Sequence, residues 1–150
     1  MLQRKLVAFV GVLALSLASV GCSAGGGATV AEQRALWARR NIVNYRFQLR
    51  QLCFCPDSGK PFEIRVQDGV VVEVKNGTTG EMLDPSRFTY YPTIEGLFDK
   101  LQDAVERNAY QLQVTYDSTY GFPASASIDY DKRAVDEEYG FEVSAFTPLP

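Results

Sequence analysis

Residues 45–55 read YRFQLRQLCFC. Tyr45, Phe47 and Leu49 fall on one side of an extended chain, and Arg46, Gln48 and Arg50 on the other. This period of two marks a strand with one face buried and the other in water. In the same register Cys53 and Cys55 continue the Tyr45 face, while Leu52 and Phe54 make the opposite face apolar as well. Pro56 ends the strand, and PDSGKP at 56–61 is turn chemistry. A half-buried strand needs other elements to cover its apolar face, and the flanking sequence offers both strands and helices.

Upstream, TVAE at 29–32 is a capping box, in which the Thr29 hydroxyl and the Glu32 side chain satisfy each other's backbone N–H groups. The helix that follows is expected to bury Leu36, Trp37 and Val43, with Arg34, Arg39 and Arg40 in solvent. Trp37 is the only tryptophan and reads as a core anchor.

Downstream, Phe62, Ile64 and Val66 alternate, as do Val70, Val72 and Val74. For both sets to face one core, Val66 must oppose Val70. That predicts a three-residue loop, Gln67-Asp68-Gly69, with Gly69 left-handed in a bulge turn; a two-residue Asp-Gly turn would set Ile64 against Glu73. KNGTTGE at 75–81 is another turn, in which Asn76-Gly77-Thr78 matches a glycosylation sequon but reads as ordinary turn chemistry. A second helix is predicted over 93–108, capped by Thr93, with Ile94, Leu97, Phe98, Leu101, Ala104 and Val105 on one face. Alternating strands follow at 110–116, 124–130 and 139–146.

The expected fold is therefore α+β: two helices packed on an antiparallel sheet, order αβββαβββ, in a single domain over 29–150. The segment NYRFQL, which follows the first helix, is similar to AYQLQV, which follows the other. Either an old duplication or the usual handover from helix to strand would give that likeness.

The first residues have a different character. MLQRKLVAFVGVLALSLASVGC places Arg4 and Lys5 before an uncharged, largely apolar run at 6–17, then small residues, then Cys22. The run has the length of a signal-peptide core and is shorter than the ~20 apolar residues that span a bilayer. SVGC resembles a bacterial lipobox, with Gly21 fitting and Ser19 departing from the usual Leu. The expectation is a signal peptide over 1–21, lipidation of Cys22 and a flexible tether, SAGGGA, to residue 28. Cleavage nearby, without lipid, is the competing reading. Ser23 after the lipidated cysteine resembles an outer-membrane sorting signal where the cell has two membranes.

Hydrophobic residues make up 46% and charged residues 22% of the 150, the balance of a globular protein. Loss of the signal removes Arg4 and Lys5 and no acid, so the net charge falls from −3 to −5. No basic surface argues for nucleic acid, and nothing draws an acidic domain flat onto anionic lipid. There is no histidine, which removes the commonest general base and metal ligand. No catalytic residue, cofactor or metal is expected. SGKP at 58–61 lacks the features of a phosphate loop.

Trp37 with Asn44-Tyr45, the Cys53-Phe54-Cys55 triplet, TIEGLF at 93–98, VTYDSTYGFPASASIDYD at 114–131 and DEE at 136–138 together resemble a family of small bacterial candidate lipoproteins described only as a domain of unknown function. The resemblance covers nearly all of the chain after the signal. It implies export and a single domain, and brings no activity.

Three places could carry chemistry. With Cys22 lipidated, Cys53 and Cys55 are the only thiols left in an oxidising compartment, and pairing is the default. Residues i and i+2 of a strand sit ~6.6 Å apart, at the top of the disulfide range, so a bend at Phe54 would close the bond. A loop of three residues gains only ~1.5 kcal/mol from closure. A local staple, a redox-active bond and open thiols all stay in play. Asp129, Asp131, Asp136, Glu137 and Glu138 crowd one connection, which reads as a solvated turn or a calcium loop. RFTYYP at 87–92 and YDSTYGFP at 116–123 offer Tyr90, Tyr91, Tyr120 and Phe122 as a groove for a peptide or glycan, or as lids on the sheet ends. The expected function is a lipid-anchored, non-enzymatic binding module of the cell envelope, whose partner is another envelope protein or a peptide. Thiol–disulfide exchange and calcium-dependent binding are the alternatives.

Overall fold

The structure, a computed structural model, describes residues 29–134 and 136–150. The signal, Cys22 and the tether lie outside the described residues. The elements are α1 (Val30–Arg40), β1 (Tyr45–Cys53), β2 (Pro61–Gln67), β3 (Val70–Asn76), a 3-10 helix (Pro85–Tyr90), α2 (Ile94–Glu106), β4 (Gln111–Tyr116), β5 (Pro123–Asp129) and β6 (Tyr139–Pro148). The fold is α+β in the order αβββαβββ, with the short 3-10 turn unforeseen.

The six strands form one antiparallel sheet in the order β3-β2-β1-β6-β5-β4. Both helices cover one face. Tyr45, Phe47, Leu49, Ile64, Val66, Val74, Ile128 and Phe141 point into that core and meet Trp37 of α1 and Ile94, Leu97, Phe98 and Leu101 of α2. The other face is wet and tied by cross-strand pairs such as Lys75–Glu63 at 2.8 Å, Arg50–Glu142 at 3.3 Å and Thr115–Ser125 at 2.7 Å.

The capping box forms as the sequence implies: the Glu32 N–H donates to Thr29 Oγ1 at 3.2 Å and the Thr29 N–H to Glu32 Oε2 at 2.8 Å. Helix α1 stops earlier than its apolar pattern, with Asn41 left-handed at φ 51°. Val43 therefore lies beyond the helix and is exposed, contrary to expectation, while Leu36 is half-buried. In α2 Thr93 caps as expected, but Val105 projects past the edge of the core and is exposed.

The first hairpin corrects the sequence reading. Asp68 and Gly69, at φ 48° and 75°, make the two-residue turn that the alternation argued against, and Gln67 pairs with Val70. The conflict is resolved further along. The register shifts between Arg65 and Val66, so that Val72 is the extra residue and Ile64 meets Val74 rather than Glu73. The bulge restores an apolar partner to Ile64, Val74 where the longer loop would have set Val72. Val70 and Val72 are consequently exposed on an edge strand. A second bulge, at Ala145 with φ 50°, shifts β6 against β1 between Arg46 and Gln48. It turns Phe146 inward onto Tyr45 (5.5 Å between ring centroids) and Trp37 (5.6 Å).

The two αβββ halves are not related by a rotation that leaves the helices on one face. A copy translated along the sheet would put β6 parallel to β1, and a half-turn about the sheet normal would put β4 beside β1. Instead β6 lies beside β1 and antiparallel. The likeness of NYRFQL and AYQLQV is thus the common handover from helix to strand.

Candidate functional site

At the end of β1 the chain turns sharply. The Cys55 N–H donates to the Cys53 carbonyl at 2.8 Å, a three-residue turn with Phe54 at its apex, 85% exposed. The turn brings the two Cα atoms to 5.2 Å, within the disulfide range, and Cys53 and Cys55 are paired. The bend expected at Phe54 is present. Behind it the loop is closed by Gly59 N–H to the Gln51 carbonyl (2.7 Å) and Cys53 N–H to Ser58 Oγ (3.1 Å).

This turn forms one wall of a cleft of about 570 Å³. The opposite wall is the segment 87–92, which leads into α2. Gln51 ties the two sides, with Nε2 donating to the Tyr90 carbonyl at 3.0 Å and Oε1 accepting from the Tyr139 hydroxyl at 2.8 Å. Phe62 and Tyr91, 4.7 Å apart, line the floor. Asp57 accepts from Lys60 (2.8 Å) and from Arg87 of the facing wall (2.6 Å). The Lys60 hydrogen bond, followed by that from Arg87, holds the Asp57 carboxyl below its ordinary range. Lys100 Nζ sits 4.6 Å over the Tyr139 ring, whose phenol is pushed up by burial.

The four aromatic candidates therefore divide. Tyr90 and Tyr91 meet at the cleft, Tyr90 69% exposed and Tyr91 buried with its ring toward the floor. Tyr120 and Phe122 do not join them. Phe122 is buried, 6.1 Å from Trp37 and 4.7 Å from Phe146, and Tyr120 is half-buried 5.0 Å from Phe146. The reason is the loop itself. Asp117 Oδ1 accepts from the N–H groups of Thr119 (2.9 Å) and Tyr120 (2.7 Å), and the Asp117 N–H donates to the Phe122 carbonyl at 2.8 Å. Gly121, at φ 82°, lies so close to Leu36 that a Cβ would stand 2.8 Å from it. YDSTYGFP is a packing device that tucks Phe122 under α1.

In the acidic connection Asp131 and Glu137 are engaged locally, while the buried Asp129 Oδ1 has no hydrogen-bond partner among the described residues. Asp131 accepts from the Arg133 N–H at 3.0 Å and pairs with its guanidinium, while Glu137 accepts from the Asp131 N–H. Among the described residues no group of three or more metal-ligating side chains occurs.

Sequence reasoning missed the charged lining. Lys60, Arg87 and Lys100 come from three separate segments, and no spacing links them. It also missed Glu95, which accepts from Trp37 Nε1 and from the Tyr45 hydroxyl, each at 2.8 Å, and so joins α1, β1 and α2.

A disulfide turn and an aromatic, basic cleft thus sit together at one corner of a small α+β domain built on a six-stranded sheet. The chain belongs to a family of unknown function (DUF6174), whose model matches residues 29–148. No curated protein and no solved structure matches it. Among the described residues no helix is long and apolar enough to cross a membrane.

Proposed function

We propose that the protein is a lipid-anchored, non-enzymatic module of the cell envelope that holds a protein or peptide partner in the cleft beside Cys53–Cys55. The anchor rests on the signal layout, Cys22 and the SAGGGA tether, with outer-membrane placement where the host has two membranes. The observation that carries the binding role is the meeting of two distant segments, 51–62 and 87–92, around a partly apolar cleft with convergent polar groups. Two readouts test it. Intact mass of protein taken from its own membranes reports a diacyl or triacyl group on a chain starting at Cys22. A photoreactive residue at Tyr90 captures a discrete partner, and one at Gln113, on the far edge strand, does not. Equal capture from both positions sinks the cleft as the binding surface.

A second reading is favoured by one observation: Cys55 is exposed and, with Cys53, walls the cleft. In thiol–disulfide exchange a dithiol held there would attack one sulfur, release the other as thiolate, and leave as a disulfide with Cys53 and Cys55 reduced. A reduction potential below about −300 mV, that of an ordinary structural bond, removes this reading.

A further inference from the structure

The cleft is positive in a protein that is negative. Three cations line it, Lys60, Arg87 and Lys100, against the single acid Asp57, while the chain as a whole carries −3. Asp57 leaves those cations with donors to spare. Arg87 gives Asp57 the N–H of one nitrogen, of the five that a guanidinium offers, and Lys60 gives one of its three. Among the described residues Lys100 has no carboxylate partner within 4.0 Å; it leans on the Tyr139 ring instead. Under these charges lies an apolar floor, Phe62 and Tyr91. Exposed Tyr90 at the mouth suits protein contact, since tyrosine presents a rigid apolar ring and a polar tip at little entropic cost.

From this arrangement we infer that the cleft takes an acidic peptide segment of a protein partner, a carboxylate flanked by aromatic or apolar residues. The carboxylate lies between Lys100 and the free donors of Arg87 and Lys60, and its apolar neighbours pack on Phe62 and Tyr91. Asp57 keeps Arg87 and Lys60 drawn together, so the donors are placed before the ligand arrives. The inference rests on the cleft being the binding surface and adds the chemistry of what it binds.

The test is an amide-shift titration of the full-length, isotopically labelled protein in a zwitterionic detergent, with acetyl-Phe-Glu-Phe-amide and its Gln isostere. The expected result is a set of shifts confined to 51–62, 87–92 and the turn around Lys100. The Gln peptide binds at least about fivefold more weakly, as a lost charge-assisted hydrogen bond demands. Lys100→Gln removes most of that preference and Lys100→Arg restores it, each variant first showing an unshifted spectrum elsewhere. Equal binding of the two peptides overturns the anionic specificity and leaves the cleft reading standing. Shifts elsewhere, or none with either peptide, overturn the inference, and capture through Tyr90 then decides the cleft reading separately.

Discussion

Tyr45→Phe removes one oxygen atom and tests how the two helices are fastened to the sheet. The Tyr45 hydroxyl donates to Glu95 Oε2 at 2.8 Å and accepts from the Ile94 N–H at 3.0 Å, and both Tyr45 and Ile94 are fully buried. Phenylalanine keeps the ring, so no cavity opens. What is lost is a hydrogen bond to a carboxylate, ~1.5–3 kcal/mol, together with the partner of a buried amide at the first turn of α2, ~1–3 kcal/mol. Part of each is recovered by relaxation, so the expected cost is about 3 kcal/mol. For a chain of this size that lowers Tm by about 10 °C.

The pH dependence gives a second handle on the same atom. Burial, then the nearby Glu95 carboxylate, raises the Tyr45 phenol above its ordinary value. A raised folded value means stability that is complete below the unfolded pKa of about 10 and declines as pH rises above it. Tyr45→Phe deletes that decline, whereas the one from Tyr139, raised by burial, persists. The gap between wild type and variant is therefore widest near neutrality and narrows above about pH 10. Urea unfolding at pH 7, 9 and 11 measures it. A cost under about 1 kcal/mol at pH 7, or a gap that does not change with pH, refutes the account of how Tyr45 ties β1 to α2.

Gly121→Ala costs at least 2 kcal/mol in chemical denaturation, because φ 82° and the Leu36 contact at 2.8 Å both oppose a Cβ; adding Leu36→Ala recovers only the steric part. Cys53→Ser with Cys55→Ser lowers stability by no more than about 2 kcal/mol, the loop being so short, and amide shifts stay within 50–62 and 87–92. Asp57, held low by Lys60 and then Arg87, contributes stability above its unfolded pKa of about 4 that fades as pH falls through the lower folded value. Asp57→Asn consequently costs stability at pH 6 and loses that acid-side decline, which thermal melts between pH 2.5 and 6 follow.

The elements were legible because their signals are local. Tyr45-Phe47-Leu49, the Thr29–Glu32 box and the apolar stripe of α2 each reveal themselves within a dozen residues. Register was not, because the bulges at Val72 and Ala145 are decided across strands. Asp-Gly preferred its two-residue turn, and the misfit was absorbed where Val72 faces solvent on an edge strand at no packing cost. The aromatic loops show the same limit. RFTYYP and YDSTYGFP have similar composition, but only the second has Asp117 placed to fold the loop back and hide its Phe122. No feature of a single segment says that Lys100 and Arg87 will line one cleft.

The place of the disulfide follows from what its small loop can and cannot do. Closure of three residues stabilises the domain by ~1.5 kcal/mol, less than Tyr45 is expected to contribute through one hydroxyl. Its effect is therefore positional. An unbent strand would carry Cys55 about 6.6 Å beyond Cys53, whereas the turn sets it at 5.2 Å and redirects the chain toward Arg87. Asp57 then reaches Arg87 at 2.6 Å and, with the Gln51 hydrogen bond to the Tyr90 carbonyl, holds the two walls of the cleft together. Opening the bond would relax that geometry while leaving the core, where neither cysteine is buried, intact. Binding at the cleft is accordingly more sensitive to reduction than folding is, which titrations and urea melts with and without reductant compare.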